Sequence, residues 1–249
     1  MEPNTLTMRA FRLAGLLGIT ALVGGCATLG FGDEQPGKEA AAATTALDAG
    51  DHDTALTHLR TLRTEYPDTP EGRQALLDEA YIHYQRGEPE RAEERAATFL
   101  DEATEPSDVD RRYALQLRAR AAQARWEANT GAPRDTGLAR LAFTHHRAVV
   151  ETYPESGAAR DSLKAMGQLR RDLAEEELNR ARTALDGGNP AEAAERAAWV
   201  AEQYRVPERA GAALALQVEA LERMGRDSEA AATQRMLEVL YPGWRADGD

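Results

Sequence analysis

From Lys38 to Leu240, apolar residues return every three or four positions, in runs broken by Gly or Pro. Leu56, Leu59 and Leu62 mark one such face, and Leu214, Val218 and Leu221 another. This is the period of a helix with one buried side. The breaks also have an order. A Gly followed five residues later by Ala occurs at Gly50/Ala55, Gly87/Ala92, Gly137/Ala142, Gly188/Ala193 and Gly225/Ala230, at Gly-to-Gly spacings of 37, 50, 51 and 37 residues. Each Ala is followed after 12 or 14 residues by a proline: Pro67, Pro106, Pro154, Pro207 or Pro242. Gly permits the left-handed backbone on which a helix ends and the chain reverses. Ala lets a second helix lie close to the first. Pro ends that second helix and holds the residue before it extended. The pattern predicts five helix pairs, over 38–49/53–65, 69–86/88–101, 107–129/135–152, 156–186/190–204 and 207–224/226–240. A long first helix in the fourth pair accounts for the wide spacing before Gly188.

Composition narrows the fold class. Of the 249 residues, 42% are hydrophobic but only 6% aromatic. The apolar share is mostly Ala and Leu, strong helix formers, and β-branched runs are missing. The order of Gly, Ala and Pro resembles tetratricopeptide repeats, helix pairs of about 34 residues. That resemblance implies an all-α superhelix of about five helix pairs, in which each repeat touches only its neighbours and the first helices line a groove. A formal charge of −12 argues against a nucleic-acid partner.

The N-terminus reads as an address. Arg9 and Arg12 precede an apolar stretch, 13–23, that is shorter than the ~20 residues of a membrane span and has the shape of a secretory leader. It ends in Leu22-Val23-Gly24-Gly25-Cys26, which resembles a bacterial lipobox. Small residues let a peptidase take the backbone in extended form, and the Cys thiolate is the group that accepts a diacylglyceryl chain. Cys26 is the only cysteine, which excludes an internal disulfide and a cysteine zinc site. The expectation is a cleaved signal peptide over 1–25 and a covalent lipid on Cys26, with no other cofactor. Cleavage removes Arg9, Arg12 and Glu2, leaving 224 residues with a charge of −13. Ala27 follows the Cys in place of the Asp of inner-membrane retention, so the resemblance points to the outer membrane, facing the periplasm. The Gly-rich stretch 26–37 reads as a flexible lipidated tether.

Longer phrases carry a closer resemblance. YPDTPEGRQALLDEAYIHYQRGEPERA, RDTGLARLAFTHHRAVVETYPESGAARDS, MGQLRRDLAEEELNRA, GNPAEAAERAAWVAEQY and MGRDSEAAATQRMLEVLYP follow one another over almost the whole mature chain. In this order, behind a lipobox, they resemble the BamD family, the tetratricopeptide lipoproteins of the outer-membrane β-barrel assembly machinery. The link ANTGAPRD, from Ala128 to Asp135, is shorter than the family's usual aromatic-bearing one. The resemblance implies a lipid-anchored scaffold, not an enzyme. Its partners would be the barrel subunit, other assembly lipoproteins and unfolded outer-membrane protein segments. The repeats of 38–155 would take the client segments, and those of 156–249 would dock the barrel subunit. A different tetratricopeptide lipoprotein, such as an adaptor for peptidoglycan enzymes, is the rival reading.

Few residues suggest chemistry beyond binding. Tyr81 and Tyr84 close a first helix, where they either grip an extended apolar segment or pack between repeats. By resemblance Arg196 sits at a basic position that contacts the barrel partner; the alternative is a pair with Glu192, four residues back. Trp126 and Trp199 are expected between helices, and Glu175, Glu176 and Glu177 on a solvated face. Adjacent His145 and His146 diverge on a helix, do not chelate one ion, and are expected solvated or half-buried. In Gly50-Asp51-His52-Asp53 an aspartate is expected to cap a helix. No G-x-S-x-G elbow or phosphate loop occurs.

Overall fold

Four helix reversals share one hydrogen-bond pattern. At Gly188 the glycine N–H donates to Leu185 O (3.1 Å) and the Asn189 N–H to Ala184 O (2.8 Å). This double bond ends a helix on a left-handed residue. Gly50, Gly87, Gly188 and Gly225 all have φ between 69° and 78°, a conformation open to Gly at no steric cost. Three of the Pro breaks repeat as closely. Tyr66, Tyr153 and Tyr241 cap their helices at φ −131°, −133° and −133°, outside the helical region that a residue before Pro avoids. After two of them a hydroxyl folds back. Thr69 Oγ1 donates to Tyr66 O and Ser156 Oγ to Tyr153 O, both at 2.7 Å, and each oxygen accepts the N–H that opens the next helix.

The structure, a computed structural model, describes residues 34–103, 106–204 and 206–244. Among them run ten helices and no strand: α1 (Glu34–Asp48), α2 (His52–Glu65), α3 (Pro70–Gln85), α4 (Pro89–Glu102), α5 (Asp108–Ala128), α6 (Thr136–Thr152), α7 (Gly157–Asp186), α8 (Pro190–Gln203), α9 (Pro207–Arg223) and α10 (Asp227–Leu240). They form five antiparallel pairs of the tetratricopeptide kind, at nearly the expected bounds. Each helix packs on its neighbours in sequence. The first helices of successive pairs also approach one another (α1–α3, α3–α5, α5–α7, α7–α9), whereas the backbones of the second helices do not, and these meet through long side chains such as His145 of α6 and Glu93 of α4. The second helices therefore stand apart, with furrows between them floored by a first helix.

The closures rest on alanine. Ala55, Ala92, Ala142 and Ala193 are 0% exposed and Ala230 is 3% exposed, so all five alanines of the repeat pattern lie where helices approach. Small core patches join consecutive pairs, such as Leu59, Leu62 and Ile82 across α2 and α3, and Leu178, Val200 and Ala213 across α7, α8 and α9.

Several expectations are corrected. The first helix begins at Glu34 instead of residue 38, so the last four residues of the expected tether are helical. Gly137 is no reversal: it lies inside α6, where its N–H donates to the capping Asp135 carboxylate (2.9 Å). Residues 129–135 make that turn. Trp126 is buried as expected, but Trp199 is 53% exposed, because no helix covers that side of α8. Cys26, the leader 1–25 and residues 26–33 of the tether lie outside the described residues.

Candidate client groove and docking face

Tyr81 and Tyr84 stand on the last turns of α3. Both are half-buried against Ala80, Ala96 and Leu117, together with Tyr113 of α5. Packing between the second and third repeats thus holds the rings, and part of each remains open to solvent. Asp78, one turn before Tyr81, is half-buried. Its carboxyl is pushed up to about 6 by burial, against the Gln74 amide that donates to it (3.0 Å) and with the Asp110 charge adding to the rise. Burial also raises the Tyr113 phenol, helped by the charges of Asp78 and Tyr81 and opposed by Arg120. The result is a patch of phenols and one weakly acidic carboxyl on apolar ground. Such groups suit aromatic contact and hydrogen bonding to an extended backbone.

Arg196 belongs to a second constellation. Its Nε donates to Glu192 Oε1 (2.8 Å) and an Nη to Glu177 Oε2 (3.1 Å). The pair expected with Glu192 is therefore present, but the centre of the group is Glu177. This carboxylate is 6% exposed and also faces Arg180 (3.1 Å) and Arg140 (3.6 Å). The solvated face expected for 175–177 is thus overturned at Glu177, because α6 and α8 flank α7 and each delivers an arginine. A buried carboxylate persists only when paired. The network runs on into the short link. Arg180 donates to Arg134 O (3.0 Å), and Arg134 donates to Asn129 O (2.6 Å) and Trp126 O (2.7 Å). The Arg134 guanidinium lies 3.4 Å from the centre of the Trp126 ring, and Trp126 Nε1 donates to Asp172 (3.0 Å). Sequence reasoning missed Glu177 and Arg134. A glutamate in an acidic run has no local mark of burial, and an arginine in a loop has none of stacking. The i,i+3 spacing of Glu177 and Arg180 was the one available signal.

The histidines go to structure. His145 Nε2 meets Glu93 Oε1 of α4 (3.2 Å), and Arg125 of α5 donates to the other oxygen of that carboxylate (2.6 Å). His146 Nε2 meets Gln123 Oε1 of α5 (2.9 Å), and Nδ1 meets Ser162 Oγ of α7 (3.1 Å). Burial, then the charges of Arg120 and His145, lowers the His146 pKa to about 4. Both rings are buried, a correction to the expected half-burial, because four helices converge there. Asp51 caps α2 by accepting from the Thr54 N–H (3.0 Å) and hydroxyl (2.7 Å). Among the described residues no helix is long and apolar enough to cross a membrane.

Comparison with known proteins covers this whole array. Residues 34–237 match the family described as "YfiO: Outer membrane lipoprotein". The outer membrane protein assembly factor BamD of Haemophilus influenzae is 26% identical over 255 residues, spanning 93% of this chain and 91% of its own. The protein of the same name from Neisseria meningitidis serogroup A is 27% identical over 214 residues, spanning 81% and 78%. Among solved structures, the TPR2AB-domain:pHSP90 complex of yeast Sti1 aligns at a TM-score of 0.48 and 16% identity, over 86% of this chain and 80% of its own. With its five helix pairs spanned almost completely by one family profile, the chain belongs to the YfiO family of outer membrane lipoproteins, the family of the BamD assembly factors.

Proposed function

We propose that this protein is a lipid-anchored, periplasm-facing scaffold that assists folding and insertion of outer-membrane β-barrel proteins by binding, without bond chemistry of its own. The observation that carries the reading is family membership across the whole repeat array, with relatives named as assembly factors over most of their length. Cys26 carries the lipid; three acyl chains at ~0.8 kcal/mol per buried CH₂ hold the chain firmly to the membrane. The half-buried tyrosines at 81 and 84 support client capture in the N-terminal repeats. The arginine face built on Glu177, with Arg196 at its rim and exposed Trp199 one turn on, supports docking of the barrel subunit through the C-terminal repeats. Arginine and tryptophan with open faces are the residues on which interfaces concentrate their energy.

The experiment replaces the chromosomal copy by Cys26→Ser under depletion of the wild type. The expected result is loss of the protein from outer-membrane fractions and a fall in assembled porins. Normal fractionation with normal porin levels overturns the anchored-scaffold reading. Pulldown of a peptidoglycan synthase or hydrolase in place of a barrel insertase assigns the scaffold to the cell wall instead.

A further inference from the structure

The furrow between α6 and α8 is floored by α7 and changes character along its length. At one end the Glu177 arginines close it. At the other it opens into a cleft of about 560 Å³ walled by Phe143 and Tyr204, floored by Leu173 and edged by Arg140 and Arg170, with no Asp or Glu in its lining. The aromatic walls are fixed in place, since both rings pack on the core patch of Trp126, Leu169 and Leu173. Arg170 is exposed, and its guanidinium lies 5.8 Å from the centre of the Phe143 ring. Among the described residues it makes no ion pair. Gln203 lines the same cleft, and Trp199, four residues earlier on α8, extends the apolar rim on that side.

We propose that this cleft is a docking site for an acidic segment of a partner protein. The segment lays an apolar side chain between Phe143 and Tyr204 and sets carboxylates on Arg170 and Arg140. Charge complementarity carries the argument: in a chain of net charge −12, a cleft with no acid in its lining, edged by Arg170 without an ion pair and by Arg140, whose charge Glu177 shares at 3.6 Å, is a local reversal of sign. Guanidinium pairs with carboxylate in a bidentate fork, and preordered aromatic walls receive an apolar anchor at little entropic cost. The surroundings favour a single chain segment over an anionic bilayer. Glu195 and Glu202 of α8 and Glu208 of α9 are exposed nearby and repel an extended negative surface, while leaving the furrow accessible. The proposal goes beyond the scaffold reading, because neither the partner's identity nor a role in barrel assembly enters it.

The test uses the full lipidated chain in detergent and a dye-labelled nine-residue peptide of alternating Glu and Leu, read by fluorescence anisotropy. A Lys-for-Glu version and phosphatidylglycerol vesicles serve as comparison probes. Binding of the acidic peptide is expected with a dissociation constant below about 1 mM. Arg170→Glu should weaken it by about tenfold or more. Arg160→Glu, at an exposed position on the first turn of α7 away from the cleft, should change it by less than about twofold. Circular dichroism confirms that both variants are folded. Equal binding of the Lys peptide, equal losses in the two variants, or no binding at about 1 mM overturns the proposal. Vesicle binding that depends on Arg170, without peptide binding, replaces it by a membrane contact. Porin assembly plays no part in the readout, so this failure leaves the assembly role standing.

Discussion

A buried histidine sets part of this protein's tolerance of acid, and a buried glutamate part of its tolerance of substitution. His146 is neutral in the fold, with a pKa of about 4 against 6.5 for the free side chain. A folded pKa below the unfolded one gives stability that is present above about pH 6.5 and lost as the pH falls toward 4. His146 therefore contributes up to about 3 kcal/mol of acid lability. The expected outcome is that His146→Gln, which keeps a polar group near Gln123 and Ser162, has a flatter denaturation midpoint than wild type between pH 6.5 and pH 4; parallel slopes would remove His146 as the cause. Glu177 acts through charge balance. Its carboxylate faces Arg140, Arg180 and Arg196, so Glu177→Gln leaves three guanidinium groups in mutual repulsion. Because these arginines are partly exposed, the cost is about 1–3 kcal/mol. A urea midpoint equal to that of wild type argues that the network is idle.

At the scale of helices, the repeat is a rule about close approach. Ala193 lies on the first turn of α8, fully buried against Leu185 and Ala220, so Ala193→Leu overpacks the contact of α7, α8 and α9 at a cost of ~1–3 kcal/mol. An unchanged melting temperature would mean that α8 slides to make room. Trp199→Ala is the counterpart on the same helix. Its side chain is exposed, so stability should move by less than about 0.5 kcal/mol, while pulldown of the barrel subunit falls. A matching loss of stability would show that Trp199 packs, and the docking face would lose its anchor. A further close approach lies at α9. A methyl group placed on Gly211 would collide with the Trp244 ring, so this glycine admits the aromatic residue that follows α10.

Over the whole molecule each repeat contacts only its neighbours, so the proposed client and docking surfaces can be tested separately. Binding of a C-terminal barrel peptide is expected to weaken by about tenfold when Tyr81 and Tyr84 become Ala, on the basis of lost aromatic contact. It should change by less than about twofold between low and moderate salt, since the tyrosine patch offers apolar and main-chain contact in place of cations. A double variant that binds like wild type places client capture elsewhere. The same double variant should leave subunit pulldown intact, as the Glu177 arginines lie two repeats away.

The helix count, the bounds to within a few residues and the five closing alanines were legible in the sequence, because each rests on a local rule. Left-handed glycine, restricted residues before proline and helical apolar spacing need no distant partner. Family resemblance was legible too, since it lies in ordered phrases. The exceptions show where local rules stop. Gly137 has the spacing of a reversal but sits inside α6, because the chain between α5 and α6 turns on Arg134 stacked over Trp126, a contact that no local pattern announces. Glu177 sits in an acidic run yet is the most enclosed of its three glutamates, because α6 and α8 close over that side of α7 and bring arginines to it. Trp199 has the character of a core residue and is bare, because second helices of successive pairs stand apart. Burial, charge partnership and open furrows are properties of how helices meet. They became definite only when residues tens of positions apart were brought into contact.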